Sequence, residues 1–467
     1  MARVVTGSLI GTTVEWYDFF LYASAAALVF NTQFFPAGDP LAGTLIAFVT
    51  YAIGFAARPL GGIAFGHFGD RMGRKKLLVV SLLMMGGATF AMGLLPTYST
   101  IGTAAPVLLT VLRLVQGFAL GGEWGGAVLL AFEHGGGARR GFWAAWPQAG
   151  GPAGNLLSTT VLALLAALQP DQELRAWGWR IPFLLSGLLV LLGLWIRNAV
   201  PESPVFLQAR AEPPARIPAV EVVRTRRREM LIAMGIRFGE NVSYYVLTSF
   251  LLVYVTTHLD LPRSTALNAV LIGSVVHFAT IPLWGALSDR AGRRPVTLIG
   301  SIGMGIWAFA FFALLDSRSF PLITVSLTVG LLLHGAMCGP QAAFLSEMFD
   351  TKVRYTGASI GFQLASVFAG ALAPIIAVAL LRAHDSATPV AVYVCLATAV
   401  TTLTVFLAPE TRGHDLTRTG EALGRPPGLG APGAPAPAAM THAGECHAEQ
   451  TRGSSSRPST SGCDQRT

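Results

Sequence analysis

Long apolar runs separated by short polar segments dominate the sequence of this chain. Each run holds roughly 20 mostly apolar residues, the length that an α-helix needs to cross a hydrocarbon core of about 30 Å. The pattern therefore predicts an all-α polytopic membrane protein with twelve transmembrane helices. The runs lie at about 8–31, 41–64, 77–96, 104–131, 142–168, 181–199, 230–257, 264–286, 295–315, 320–345, 355–381 and 389–408.

The composition of the 467-residue chain supports this assignment. Hydrophobic residues make up 52% of it and charged residues only 12%, whereas charged residues make up about 25% of an average soluble domain. These figures exclude an ordinary soluble enzyme and a disordered protein. The four cysteines have neither metal-ligand nor redox spacing, so no metal site is predicted. Glu15 and Asp18 interrupt the first run, which favours a retained helix over a cleaved signal peptide.

The positive charges are distributed unevenly between the loops on the two sides. Of the 33 lysines and arginines, 25 fall in one set of loops together with both termini, and 5 fall in the other set. Because cytoplasmic loops of membrane proteins are enriched in these residues, we expect both termini and the loop 200–229 in the cytoplasm. The expected location is the cell (inner) membrane, and the net charge of +8 reflects this topology rather than nucleic-acid binding.

The two halves of the chain repeat the same markers in the same order. Residues 66–75, Gly-His-Phe-Gly-Asp-Arg-Met-Gly-Arg-Lys, recur 219 residues later as 285–294, Gly-Ala-Leu-Ser-Asp-Arg-Ala-Gly-Arg-Arg. Parallel repeats of this kind are typical of carriers that expose a central site alternately to each side. The predicted divisions are a six-helix half at 1–199, a cytoplasmic linker loop at 200–229, a pseudo-symmetric six-helix half at 230–412 and a disordered cytoplasmic tail at 413–467.

The Gly-x-x-x-Asp-Arg-x-Gly-Arg-Arg/Lys element between the second and third runs resembles the signature of the major facilitator superfamily. Three further stretches, at 11–22, 113–126 and 237–241, resemble the metabolite:proton symporter family. That family includes carriers of shikimate, α-ketoglutarate, citrate and proline or betaine. The resemblance covers about residues 8–412 and implies a major facilitator fold, alternating access and coupling of the substrate to protons.

In the repeated loop, a carboxylate and several cations stand at the cytoplasmic ends of two helices. These charges either serve only to orient the protein or form an ion-pair latch, in which Asp70 and the start of a helix from the other half hold the inner gate closed. Two copies at a matched offset favour the latch. The predicted gate residues are Asp70, Arg71, Arg74, Glu133, Arg140, Asp289, Arg290, Arg293, Arg294, Glu347 and Arg354.

Charged side chains at similar depth interrupt the first and fourth runs. Glu15 and Asp18 share one face of a helix, and Asp18 lies ~15 Å from the inner end while Arg113 lies about 13 Å from the outer end. A charge in mid-bilayer costs about 2.5–3.5 kcal/mol, so we expect an Asp18–Arg113 pair, either static or switchable. In the switchable case, substrate binding to Arg113 releases Asp18 to take up a proton. Glu123 is predicted to be a second proton site or a gate residue.

Polar residues in the seventh run indicate a substrate site. Arg237 and Glu240 are three residues apart and either neutralise each other or face the cavity, where Arg237 would bind a carboxylate. His277 and His334 are isolated in apolar runs, and we expect them to be packed and hydrogen-bonded rather than functional. The predicted substrate-binding residues are Tyr17, Arg113, Gln148, Arg237, Glu240, Asn241, Tyr244 and Tyr245.

No sequence feature indicates an enzyme or a nucleotide-driven pump, since the sequence has no Gly-Lys of a phosphate-binding loop, no nucleophile elbow and no metal cluster. We therefore expect a proton-coupled importer of a small organic acid such as shikimate or a dicarboxylate. The alternative is a proline/betaine symporter, followed by an exporter and a non-transporting membrane sensor. We expect a monomer in the bilayer with an anionic or zwitterionic substrate, no nucleic-acid partner, and no cofactor apart from the coupling proton.

Overall fold

The computed structural model describes residues 2–35, 40–72, 74–134, 139–199, 224–349 and 354–413. Most of the predicted linker loop, and the predicted tail from residue 414 onwards, lie outside these ranges. The predicted boundaries of the halves, the linker and the tail therefore remain predictions.

Six long helices, here called the N-terminal half, account for the first part of the chain. A π-helical turn, Ala26–Phe30, and a short helix, Asn31–Gln33, continue the first of them. Short segments, Tyr98–Ile101 and Leu174–Gly178, precede the fourth and the sixth. The long helices are α1 (Ala2–Ala25), α2 (Pro40–Met72), α3 (Arg74–Leu94), α4 (Ala104–His134), α5 (Arg140–Leu168) and α6 (Arg180–Ala199).

Six further helices form the C-terminal half, and two of them are interrupted by π-helical turns. In α7, the helix Arg227–Tyr245 continues through Val246–Phe250, Leu251–Val253 and Tyr254–His258. In α11, the turn Ser366–Ala371 joins two helical segments, Arg354–Ala365 and Ala373–His384. The uninterrupted helices are α8 (Arg263–Ala291), α9 (Arg293–Leu315), α10 (Phe320–Glu347) and α12 (Thr388–Leu407).

The predicted all-α membrane protein with twelve transmembrane helices is confirmed, because each apolar run corresponds to one of these helices and the described residues contain no strand. Within the described ranges, nine helices are long and apolar enough to cross a membrane. The remaining three, α1, α5 and α7, bury polar side chains such as Asp18, Gln148 and Glu240. These three helices therefore bring several candidate site residues into the bundle.

The outer surface of the bundle is apolar, as a lipid-facing surface requires. Trp195 is 73% exposed, Ile306 72% and Leu283 64%. In a soluble protein, large exposed side chains at this density would form a hydrophobic patch that drives association. In a bilayer, the same side chains contact acyl chains, while the polar residues turn inwards.

Glycines let helices approach each other closely at two kinds of contact. A Cβ atom added to Gly117 of α4 would lie 1.8 Å from the carbonyl oxygen of Gly54 on α2, so these helices touch backbone to backbone. Between the halves, a Cβ atom on Gly285 of α8 would lie 2.6 Å from the carbonyl oxygen of Gly141 on α5. Small residues are the usual means of close helix packing in membranes, and here they join α5 to α8 near the repeated loop.

Candidate functional site

A small cavity lies between the two halves, and side chains from both halves line it. The N-terminal half contributes α1 and α5, and the C-terminal half contributes α7, α8, α10 and α11. Six of the predicted substrate-binding residues line this cavity, namely Gln148, Arg237, Glu240, Asn241, Tyr244 and Tyr245. The other lining residues are Trp16, Phe20, Gly151, Pro152, His277, His334, Cys338 and Phe362.

The C-terminal wall of the cavity carries a buried ion pair. Nη1 of Arg237 lies 2.8 Å from Oε2 of Glu240 and also donates to Oε1 of Gln341 at 2.7 Å. The guanidinium of Arg237 stacks on Phe362, 3.4 Å from the ring centroid. Arg237 and Glu240 therefore pair with each other and also line the cavity.

Hydrogen bonds extend this wall in two directions. Towards α8, Nε2 of His334 lies 3.1 Å from Oε1 of Glu240, and Nδ1 of His334 lies 2.9 Å from Nε2 of His277. Towards the N-terminal half, Nε2 of Gln148 donates to Oε1 of Gln341 at 3.4 Å. The cavity wall is thus one hydrogen-bonded network that crosses from α8 to α5.

The predicted Asp18–Arg113 pair is not a direct contact, and this corrects the sequence-based expectation. Both side chains are buried, but no ion pair within the described residues joins them. Nη1 of Arg113 instead donates to Oε1 of Gln116 at 2.5 Å, and Nε2 of Gln116 donates to Oγ1 of Thr89 at 2.6 Å. The hydroxyl of Thr89 donates to the carbonyl oxygen of Met85 at 3.0 Å and lies near the carboxyl group of Asp18. The side chains of Gln116 and Thr89 therefore lie between the two charges.

Aromatic rings surround the guanidinium of Arg113. The ring centroids of Tyr22, Phe19 and Tyr51 lie 4.3, 4.6 and 4.7 Å from its Cζ. Its Nε and Nη2 atoms are buried and have no hydrogen-bond partner among the described residues. The rings offset part of the burial cost of the cation, but two strong donors have no acceptor in the described part of the chain.

Arg58 of α2 repeats this arrangement and is not among the predicted site residues. Its Cζ lies 3.9 Å from the ring centroid of Phe55 and 4.3 Å from that of Phe19. Only 1% of Arg58 is exposed, and its Nε and Nη2 atoms also have no hydrogen-bond partner in the described structure. An arginine within an apolar run is costly to bury in a membrane. The position of Arg58 in such a run could therefore have marked it as a candidate site residue, as the position of Arg113 did.

Five predicted residues on α1 and α4 are not among the described residues that line the cavity, namely Glu15, Tyr17, Asp18, Arg113 and Glu123. The hydroxyl of Tyr17 donates to the carbonyl oxygen of Pro182 on α6 at 2.7 Å, a contact inside the N-terminal half that does not support its predicted contact with substrate. Glu15 and Glu123 are buried, and neither is among the described residues that line the cavity.

In the second copy of the repeated loop, Asp289 joins the end of α8 to the start of α5. Its carboxylate oxygens accept hydrogen bonds from the backbone N–H groups of Gly141 at 2.8 Å and Phe142 at 2.9 Å. The first turn of a helix has free N–H groups and the positive end of the helix dipole, so it favours a carboxylate. This contact connects the halves in the way that was predicted for Asp70, the corresponding residue of the first repeat.

Arg293 holds the carboxylate of Asp289 in place. Its Nη1 lies 2.8 Å from Oδ1 of Asp289, and its Nη2 lies 3.0 Å from Oε1 of Glu347. Nε of Arg293 adds a second bond to Glu347 at 3.2 Å, which makes that pair bidentate. All three side chains are almost fully buried, so three helices of the C-terminal half meet in one charged cluster.

Most other predicted gate residues stabilise helix ends or lie outside the described side chains. Arg354 donates from Nε to the carbonyl oxygens of Ser346 and Phe349 at the end of α10. Arg294 donates to carbonyl oxygens at the end of α12, Arg140 lies near the ring of Phe132, and Arg290 is exposed. The side chains of Asp70, Arg71, Arg74 and Glu133 lie outside those that the structure describes.

The sequence model of the Major Facilitator Superfamily matches residues 8–374 and 238–429. This chain belongs to the major facilitator superfamily. The match spans most of the bundle, including both copies of the repeated loop and the cavity between the halves. The protein is therefore a multi-pass membrane transporter of this superfamily and not an enzyme.

Relatives of this major facilitator are named as transporters of small molecules. The "Shikimate transporter" of Escherichia coli (strain K12) is 42% identical over 409 residues, which cover 86% of this chain and 93% of that protein. The "Proline/betaine transporter" of the same strain is 31% identical over 426 residues, covering 89% and 85%. A solved structure of the proton:xylose symporter XylE of E. coli has the same fold, with a TM-score of 0.72 at 18% identity, covering 89% of this chain and 97% of that one.

Proposed function

We propose that this transporter imports a small organic acid together with protons across the inner membrane. The observation that carries the proposal is the pair of buried arginines, Arg58 and Arg113, whose Nε and Nη2 atoms have no hydrogen-bond partner in the described structure. Both guanidinium groups lie within 4.6 Å of the same ring, that of Phe19. Buried donors without acceptors are costly, and a carboxylate is the acceptor that arginine binds best.

Groups in the cavity and beside it are available to the hydroxyls of a polyol acid. The hydroxyl of Tyr244 and Nε2 of Gln341 are buried without a hydrogen-bond partner among the described residues. Tyr244 lines the cavity beside Gln148 and Asn241, so an alcohol-rich ring would find both donors and acceptors. The higher identity to the relative named for shikimate than to the one named for proline and betaine supports a hydroxylated carboxylate as substrate.

The side chains of Thr89 and Gln116, which lie between Asp18 and Arg113, supply a route for coupling. A substrate carboxylate bound to Nε and Nη2 of Arg113 would draw the guanidinium away from Gln116, and Gln116 would then shift against Thr89. Asp18 would lose the indirect stabilisation of its charge and would take up a proton, because an uncompensated buried carboxylate is costly. Asp18 and Arg113 are thus the proposed coupling residues, and Glu15 and Glu123 are proposed secondary proton sites.

Alternation between the two sides follows from the contact at the cytoplasmic end. Here Asp289 fastens α8 to the start of α5, and Gly285 and Gly141 bring the two helices together. We assign this contact to a closed inner gate, which must break for release into the cytoplasm. The uneven distribution of lysine and arginine supports a cytoplasmic location for this gate and for both termini.

A proline or betaine symporter is the second candidate. The rings of Trp16, Phe20, Tyr244 and Phe362 line the cavity beside the carboxylate of Glu240. Aromatic faces near a carboxylate attract a quaternary ammonium group, which favours a zwitterionic substrate.

Purified protein in proteoliposomes tests both candidates. We would measure uptake of labelled shikimate, α-ketoglutarate, citrate and proline, with and without an inward proton gradient. The proposal predicts that a carboxylic acid accumulates only with the gradient. Gradient-independent flux would overturn symport, and accumulation of proline without any of the acids would establish the second candidate instead.

A further inference from the structure

Two buried histidines of the C-terminal half lie end to end against the ion pair of the cavity wall. His277 belongs to α8 and His334 to α10, and both side chains are at most 2% exposed. Nε2 of His277 lies 2.9 Å from Nδ1 of His334, and Nε2 of His334 lies 3.1 Å from Oε1 of Glu240. The remaining bond of Glu240, through Oε2, is to Arg237 at 2.8 Å.

The hydrogen bonds along the row His277–His334–Glu240 determine which ring nitrogen carries each hydrogen. Glu240 is paired with Arg237 and is therefore ionised, so its oxygens only accept. Nε2 of His334 must then carry a hydrogen and donate to Glu240. In a neutral imidazole the other nitrogen is an acceptor, so Nε2 of His277 donates to Nδ1 of His334. Nδ1 of His277 is left as an acceptor, and His277 lines the cavity.

This row can accept one proton and move its charge away from the point of entry. A proton that binds Nδ1 of His277 makes that ring an imidazolium. The hydrogen on Nε2 of His277 can then pass to Nδ1 of His334, which leaves His277 neutral and His334 positively charged. Bonds balance, since one N–H bond forms and one breaks on His277 while one forms on His334. The charge comes to rest beside Glu240.

We propose that His277 and His334 form a proton-binding site that frees Arg237 for the carboxylate of the substrate. Once His334 is charged, Glu240 has two cationic neighbours and holds Arg237 less tightly. The guanidinium of Arg237 then has charge to offer an anion in the cavity that it lines. Proton and anion therefore bind together in the C-terminal half, which deepens the proposed proton symport and rests on it.

Among the described residues around the two histidines, the charged groups are Glu240 and Arg237. Histidine has an ordinary pKa of about 6.5, whereas cysteine and tyrosine titrate well above neutral pH. The N-terminal half faces the cavity here with aromatic and amide groups. The groups around the pair are Arg237, Glu240, Tyr244 and Tyr245 of α7, Cys338 and Gln341 of α10, Gln148 and Asn155 of α5, and Trp16 and Phe20 of α1.

Binding of shikimate to the purified full chain, measured by calorimetry between pH 5.5 and 8.5, tests this site. One linked proton makes the dissociation constant rise by up to about tenfold per pH unit above the range in which histidine titrates. We expect this dependence in the wild type and a clearly smaller one in the double variant His277→Gln/His334→Gln, in which only the proposed proton uptake by Asp18 remains. His258→Gln is the matched control, because His258 also faces an acid, Asp385, but at the end of α7.

The outcomes separate this inference from the proposed function. If uptake by the wild type is proton-driven but the double variant keeps the wild-type pH dependence of binding, the histidine site alone is overturned. Uptake that ignores the proton gradient overturns the proposed function itself. If the double variant does not fold, His277→Asn decides the same point, because it removes the cavity end of the row and leaves the His334–Glu240 contact. A wild-type pH dependence in that variant would equally overturn the site.

Discussion

Replacement of Asp289 by asparagine should open the cytoplasmic side of the transporter. The carboxylate accepts two backbone hydrogen bonds from the start of α5 and one from Arg293. Asparagine retains one acceptor oxygen, so at least one N–H donor of α5 loses its partner, and Arg293 loses a charge. A hydrogen bond to a charged group contributes about 1.5–3 kcal/mol. Because about 1.4 kcal/mol is a factor of ten, the open population should rise roughly tenfold to 150-fold.

The native Cys338 reports this change, because it lines the central cavity and is buried. In a background in which Cys395, Cys446 and Cys463 are serine, we would follow alkylation of Cys338 by a maleimide applied from the cytoplasmic side. The rate should rise by at least about tenfold in Asp289→Asn.

Asp316→Asn is the matched control for this experiment. Asp316 accepts a hydrogen bond from Tyr254, and both residues belong to the C-terminal half, so its loss does not loosen a contact between halves. Equal alkylation rates in the wild type and Asp289→Asn would refute the latch, and so would an equal increase in Asp316→Asn.

Three further variants follow from the geometry. Asp18→Asn should abolish uphill uptake of shikimate while exchange across the membrane survives, and wild-type accumulation in this variant would remove Asp18 from the coupling route. Arg58→Gln should weaken binding of shikimate by about tenfold to 100-fold, the loss of one charged hydrogen bond, whereas an unchanged affinity by calorimetry would mean that Arg58 does not contact substrate. Gly117→Ala should lower the unfolding temperature in detergent, since the added Cβ meets Gly54 and overpacking costs about 1–3 kcal/mol. Gly87→Ala is the control: with nothing within 4 Å of its added Cβ, and alanine favoured over glycine inside a helix, it should not lower the unfolding temperature.

The helices and part of the cavity wall could be predicted from the sequence. The run predicted at 320–345 is the helix Phe320–Glu347, because twenty apolar residues in a bilayer satisfy their backbone only as a helix. Gln148, Arg237 and Glu240 could be predicted to line the cavity for a related reason. A polar group in an apolar run is costly to expose to lipid, so it turns inwards.

Sequence gives the depth of a residue in the membrane but not its lateral neighbours. Asp18 and Arg113 share a depth, yet Thr89 and Gln116 fill the space between them. Tyr17 is adjacent to Asp18 and is therefore turned by about 100° around α1, which directs its hydroxyl to α6. A single sequence could not distinguish these faces.

The histidine pair shows the same limit between two helices. His277 and His334 are 57 residues apart, and each looks isolated in its own apolar run. They meet only because of how α8 and α10 are rotated against each other, and the apolar pattern of these nearly uniform helices does not determine that rotation.

The central claim is that a buried carboxylate ties the movement of a carboxylic acid to that of a proton. The most direct measurement adds shikimate to the outside of proteoliposomes that contain a pH-sensitive dye and start with no gradient of any kind. The lumen should acidify as shikimate enters through the wild type, and it should not acidify with Asp18→Asn or with protein-free vesicles. Entry of labelled shikimate through the wild type without any change in the internal pH would contradict the claim.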